Sequence, residues 1–173
     1  LLFENFYRNG SLIFGGGSML VPLLYTEFVE FKAYLSSEEF LAGFGLAQGM
    51  PGATFAFASY VGTLAMKDMG MGGQILGSAV ASLGIFLPGT FLIFFVIPMW
   101  DSLKQYRMVR ASLEGINAAS AGMVVATAFL LFDPIPGNFM NILVITGTFI
   151  LLYFTKFPAP FIILAGLLAG IIF

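Results

Sequence analysis

Two clusters in this sequence combine helix-breaking residues with hydrogen-bond donors. One runs Gln48-Gly49-Met50-Pro51-Gly52-Ala53-Thr54, and the other is Gly15-Gly16-Gly17-Ser18. Glycine and proline make poor helix interiors, so each cluster predicts a helix that stops and restarts. A half-helix that begins after a glycine directs unpaired N–H groups and the positive end of its dipole at whatever lies ahead. Pro51-Gly52 would open one such half-helix and present the amides of Ala53 and Thr54. Gly16, Gly17 and Ser18 would present the other set. Two such ends facing each other would cradle an anion, and Gln48 adds a neutral NH₂ donor. Histidine and cysteine are both absent, which removes imidazole bases, thiolate nucleophiles and most metal sites. No acidic pair lies within an apolar run. The chemistry expected is therefore anion binding, with no enzyme activity, cofactor or metal. Glu27 and Glu114 each border a charge-free segment and are the candidates for coupling a proton.

The elements that position these residues must lie in a membrane. Of 173 residues, 59% are hydrophobic and 9% charged, against about 25% charged in a soluble domain. Charge-free runs cover Asn9–Thr26, Phe40–Met66, Met69–Trp100, Gly115–Phe132, Pro134–Thr155 and Phe157–Phe173. Several reach the roughly 20 residues that cross a bilayer core. The net charge of −2 comes without a basic cluster large enough for nucleic acid. The chain starts on Leu1 and ends in an apolar run. It is expected to be a piece of a longer chain or a short mature subunit.

The fold class expected is an all-α membrane bundle of about five to seven membrane segments with two discontinuous (broken or re-entrant) helices. The first apolar segment is interrupted at Phe14–Ser18. A polar loop is expected over Glu27–Glu39, then a helix capped by Ser36 or Ser37 with Glu38 and Glu39 in its first turn. That helix, ending near Gln48, and a second piece over Ala53–Met66 are each too short to span. Lys67-Asp68 forms a polar tip. Gln74–Met99 reads as a full span disturbed at Pro88-Gly89. Lys104, Arg107 and Arg110 would line one face of an interfacial helix, followed by spans over about Gly115–Phe132, Phe139–Thr155 and Ala159–Phe173. Those three basic residues make their linker cytoplasmic, with Lys156 on the same side and Asp133 outside.

Each chemical reading has a plainer counterpart. The patterns Gly45-x-x-x-Gly49, Gly73-x-x-x-Gly77 and Gly166-x-x-x-Gly170 suit close helix packing alone. Glu4 and Arg8 are spaced to pair within one helix, as are Arg110 and Glu114. The acidic residues of the 27–39 segment suit a solvated loop, and Lys67 a bland loop tip.

The stretches "FGGGSMLVPLL", "FLAGFGLAQGMPGATFAFASYVG" and "LGIFLPGTFLI" resemble the chromate ion transporter family. Domains of that family carry an FGG-type motif, an A-Q-x-x-P-G-P-type motif and a later F-L-P motif in the same order. The similarity runs from about Phe3 to Phe132, with compatible hydropathy beyond, and is most like the C-terminal copy of two-domain members. Ala53 stands where the family often has a second proline, while Gln48, Pro51 and Gly52 are in place. The resemblance implies movement of chromate, or a sulfate-like oxyanion, out of a bacterial cell across its inner membrane, linked to the proton motive force. It also implies that residues 1–173 form one domain, half of a transporter completed by a second, inverted domain, fused or separate. The competing class is a non-transporting membrane subunit whose glycines serve packing only.

Overall fold

Polar residues at the ends of short apolar runs set the pattern of short helices followed by long ones. The computed structural model describes residues 1–13, 17–49, 54–154 and 158–172, and all regular structure among them is helical. Helix α1 is Leu2–Leu12. A 3₁₀ turn, Gly17–Met19, leads into α2, Leu20–Tyr25, which runs on as a π-helical stretch, Thr26–Phe31. Helix α3 is Ser37–Gly49. A second 3₁₀ turn, Thr54–Ala56, leads into α4, Phe57–Ala65. A tip at Lys67–Met69 precedes α5, Gly70–Val96. Gly70 enters α5 at φ +69°, a conformation that favours glycine. Then follow α6, Trp100–Leu103, α7, Arg107–Phe132, α8, Phe139–Phe154, and α9, Ala159–Ile172.

The core is built by the N-terminal half. Helices α1 and α4 both pack along α5. Phe6, Leu20, Leu24, Phe28, Phe40, Phe57 and Val61 are fully or almost fully buried. Their rings interlock: Phe6 stacks on Phe28 at 4.7 Å, and Phe40 meets Tyr25 and Phe57 edge-on at 5.1 and 4.9 Å. Backbone contact brings α4 onto α5. A Cβ on Gly77 would lie 2.2 Å from the Gly62 carbonyl oxygen, and one on Gly62 would lie 2.4 Å from the Gly77 carbonyl oxygen. A hydroxyl pair, Ser59 and Ser82 at 2.6 Å, joins the same two helices. Packing of α1 on α5 is equally close, with Gly10 against the backbone of Ile85 and Gly84 against Phe6.

Helices α5 and α7 are long and apolar enough to cross a bilayer. Among the described residues α8 buries none of its own, and α7 buries only Ser120. In water such surfaces would be an aggregation hazard; in lipid they are the ordinary exterior.

Several expectations are revised. The polar segment after Thr26 is no loop until Lys32: the helix continues through Phe31 because Phe28 is buried in the core and holds that stretch in place. Pro88 lies within an uninterrupted α5, its lost donor tolerated next to a packed neighbour. No separate interfacial helix carries the basic residues. Tyr106 is extended, the helix restarts at Arg107, and Arg107 and Arg110 form the first turn of α7 itself. Arg8 pairs with Glu27 rather than Glu4. Of the three marked glycine pairs, Gly45, Gly166 and Gly170 meet nothing within 4 Å of an added Cβ, and only Gly77 makes a backbone-to-backbone crossing.

Candidate anion-binding site

Helix α3 starts with a reciprocal cap. The Glu39 amide donates to Ser36 Oγ at 3.1 Å, and the Ser36 amide donates to Glu39 Oε2 at 2.9 Å. Lys67 Nζ donates to Glu39 Oε1 at 2.9 Å, and the Tyr60 hydroxyl donates to the Glu39 carbonyl at 2.8 Å. Lys67 is thus a cross-link rather than a bland tip. These bonds tie the start of α3 to the end of α4, so the two helices run antiparallel from a fastened end. An open cavity of about 620 Å³ lies there, lined by Ser36, Glu39, Lys67 and Asp68 among others. Gln48 lies roughly 14 Å further along α3, at 1.5 Å per residue, so this cavity is not the predicted site.

The fastening is pH-dependent. The carboxyl of Glu39 is held below its ordinary value of 4.5, first by the Ser36 amide and then by Lys67. The hydrogen bond to Glu39 holds Lys67 above its ordinary value. The Glu39 part is present above its unfolded value and lost as pH falls through the folded one. The Lys67 part is present below its unfolded value and lost as pH rises through the folded one. The tie is therefore complete around neutral pH. Hydrogen-exchange protection of the first-turn amides of α3 is expected to fall, relative to intrinsic rates, as pH drops below the ordinary carboxyl value of 4.5 and through the lowered one. Glu39→Gln should show the reduced protection already at pH 7.

Where the other end of the hairpin leads concerns the predicted site. Helix α3 closes at Gly49, where an added Cβ would lie 3.7 Å from Ile163 Cγ2 of α9. Gln48 beside it is exposed. The next described backbone is the Thr54–Ala56 turn, and this turn lies against the Gly17–Met19 turn. Helix α7 packs against Gly17–Met19 as well. The described flanks of the two glycine clusters, Gly17-Ser18 on one side and Thr54 on the other, therefore come together although 37 positions separate Gly17 from Thr54. Gly15, Gly16, Pro51, Gly52 and Ala53 lie outside the described residues, and so do the two expected helix breaks.

The proton-coupling candidates differ. Glu27 is largely buried, 14% exposed, and its carboxylate lies 2.6 Å from the Arg8 guanidinium. Glu114 is exposed on α7, and among the described residues neither it nor Arg110 forms an ion pair.

Two residues escaped the reading of the sequence. Asn5 and Asn9 are 6% and 3% exposed, and the Nδ2 of each has no hydrogen-bond partner among the described residues. The signal was present: two asparagines four apart, on one face of a helix bordered by apolar residues.

The sequence model of the chromate transporter family matches residues 1–171. An uncharacterized transporter of Methanocaldococcus jannaschii is 26% identical over 91% of this chain and 37% of its own length. A probable chromate transport protein of Synechococcus elongatus is 24% identical over 97% of this chain and 42% of its own. The chain thus spans well under half the length of those two relatives. An uncharacterized transporter of Bacillus subtilis is 27% identical over 99% of this chain and 95% of its own length. No solved structure matches the chain.

Proposed function

Because the chain belongs to the chromate transporter family, a family of membrane transporters and not of enzymes, we propose that it is one domain of a secondary transporter for chromate or a related sulfate-like oxyanion. The direction proposed is efflux across the bacterial inner membrane, linked to the proton motive force. The observation that carries the reading is the family match over residues 1–171, and relatives of similar sequence are named chromate transport proteins. The proposed substrate contacts are the amides of the Gly15–Ser18 and Pro51–Thr54 segments, with Gln48 and Gly49. Supporting this, the turns Gly17–Met19 and Thr54–Ala56, each leading into a helix, are neighbours in the fold. A bundle of five to seven segments with two discontinuous helices would give those starts a polar cavity at membrane depth.

The domain is proposed to work with a second, inverted domain of the same kind. A unit of this size makes up nearly all of the Bacillus subtilis relative and less than half of others. The exposed apolar lengths of α7 and α8 leave ample surface for lipid and for such a partner. A packing-only role for the glycines finds support at Gly62 and Gly77, which belong to neither predicted break.

Radiolabelled sulfate and chromate flux in proteoliposomes of the full-length protein tests the reading. Accumulation of one of them that responds to an imposed pH gradient is the expected result. Flux no greater than in empty liposomes, for both anions and both gradient directions, overturns it.

A further inference from the structure

Helix α1 carries a polar face that no glycine break accounts for. At about 100° per residue, Asn5, Arg8 and Asn9 fall within an arc of about 100°. Gly10, which meets the Ile85 backbone of α5, points to a different side. Across from the polar face stands Glu27, on the π-helical stretch that extends α2, with its carboxylate on Arg8. In the sequence, only Ile13 and Phe14 separate the end of α1 from the Gly15–Ser18 cluster.

The two amides are the unusual feature. Asn5 and Asn9 are more than nine-tenths buried, yet their NH₂ groups donate to nothing among the described residues. A buried donor without an acceptor is costly, more so at membrane depth where water is scarce. The arrangement is short of acceptors, not of donors. Glu27 holds one terminal nitrogen of the Arg8 guanidinium, and the Arg8 side chain as a whole is 54% exposed. A guanidinium offers five N–H donors, and an oxyanion that took the terminal nitrogen now held by Glu27 would displace the carboxylate from it.

We propose that Asn5, Asn9 and Arg8 form an oxyanion-binding site on α1, at which a doubly charged tetrahedral oxyanion and the Glu27 carboxylate compete for the Arg8 guanidinium. The ligand supplies only acceptors, which is what two free NH₂ groups and a guanidinium lack. Binding moves Arg8 from Glu27 to the ion. The Glu27 carboxylate then stands without its cation, beside a dianion that repels it. The site deepens the transport reading above and rests on it, since it names residues of this chain that would hold the transported ion.

The test uses the purified full-length protein, with sulfate and chromate as probes and two readouts. One is the anion-dependent shift in thermal unfolding, which gives Kd; the other is uptake into proteoliposomes, which gives KM. Asn5→Leu and Asn9→Leu remove the orphan donors while keeping nearly the same volume. Without anion, they are expected to be as stable as the parent or more so. With anion, each should weaken Kd and KM by about 10-fold or more, the cost of one hydrogen bond to a charged group. Glu27→Gln keeps size and shape, removes the competing charge, and should bind either anion at least several-fold more tightly. Lys32→Ala, on the exposed segment after the π stretch, serves as control.

A merely structural role predicts the opposite pattern. If the leucine variants bind anion like the parent, the asparagines do not contact it and the proposal falls. If Glu27→Gln leaves anion binding unchanged or weaker, the competition at Arg8 falls, and this arm stands even if a leucine variant fails to fold. A parent protein that binds and transports while these variants match it overturns only the α1 site. A parent that neither binds nor transports either anion overturns the transport reading and this site together.

Discussion

Gly77→Leu is expected to keep the chain from reaching a stable fold in the membrane. Even the first atom of the new side chain has no room: a Cβ at Gly77 would stand 2.2 Å from the Gly62 carbonyl oxygen and 3.2 Å from the Met66 Cβ. The nearest obstacle is backbone, which cannot rotate aside as a side chain can. Helices α4 and α5 would have to separate, taking with them the 2.6 Å Ser59–Ser82 pair and the packing of Val61 and Ala81, both fully buried. Overpacking a core typically costs 1–3 kcal/mol, and about 3 kcal/mol or more is expected here because a whole interface parts. Gly72→Ala, on the same helix, meets nothing within 4 Å. It should be neutral or stabilising by up to about 1 kcal/mol through helix propensity. Unfolding in mixed detergent micelles, with membrane yield as a second readout, separates the two. Equal stability of both variants would mean that α4 and α5 do not cross at this glycine pair.

The contrast between these two glycines also explains what the sequence reveals and what it hides. Local devices are legible. Ser36, one of the two serines expected to cap α3, does so, and Glu39 of the expected acidic first turn returns the bond, because both partners lie within one helical turn. The polar tip at Lys67-Asp68 is legible for the same reason, and so are the three C-terminal apolar helices, to within a few residues except where α7 takes in the basic linker. Contacts across the fold are not. Spacing assigns Arg8 to Glu4, four residues away, but its partner is Glu27, nineteen residues away. Gly-x-x-x-Gly matching finds Gly77 but not Gly62, the residue Gly77 meets, because the tight pair is between helices rather than along one. The charged residues from Glu27 to Lys32 read as loop, and only the burial of Phe28 shows why the helix continues. Of the candidate site, the sequence marks the two glycine clusters, and the described flanks of both come together. It does not mark Asn5 and Asn9, whose importance lies in the acceptors they lack.

Gly52→Leu is expected to abolish anion transport while the protein still inserts, and Gln48→Ala to weaken it. The proposed site presents backbone amides to the ion, so its capacity depends on how near the backbone can come. Gly52 stands two residues before the Thr54–Ala56 turn, a neighbour of the Gly17–Met19 turn. A leucine in that position would add a bulky apolar side chain where an oxyanion must approach, and would take away the backbone freedom of glycine after a proline. Gln48→Ala removes a single NH₂ donor and leaves the amides in place. Losing one hydrogen bond to a charged group costs about 1.5–3 kcal/mol, or roughly 10–150-fold in affinity, and should appear as a raised KM. The order of severity is therefore Gly52→Leu beyond Gln48→Ala, with Lys32→Ala like the parent. Uptake into proteoliposomes at sub-saturating sulfate or chromate, with equal amounts of each variant inserted, reads that order. If Gly52→Leu and Gln48→Ala transport like Lys32→Ala, the ion does not pass the Gln48–Thr54 segment. In that outcome the glycines there serve packing, as Gly62 and Gly77 do.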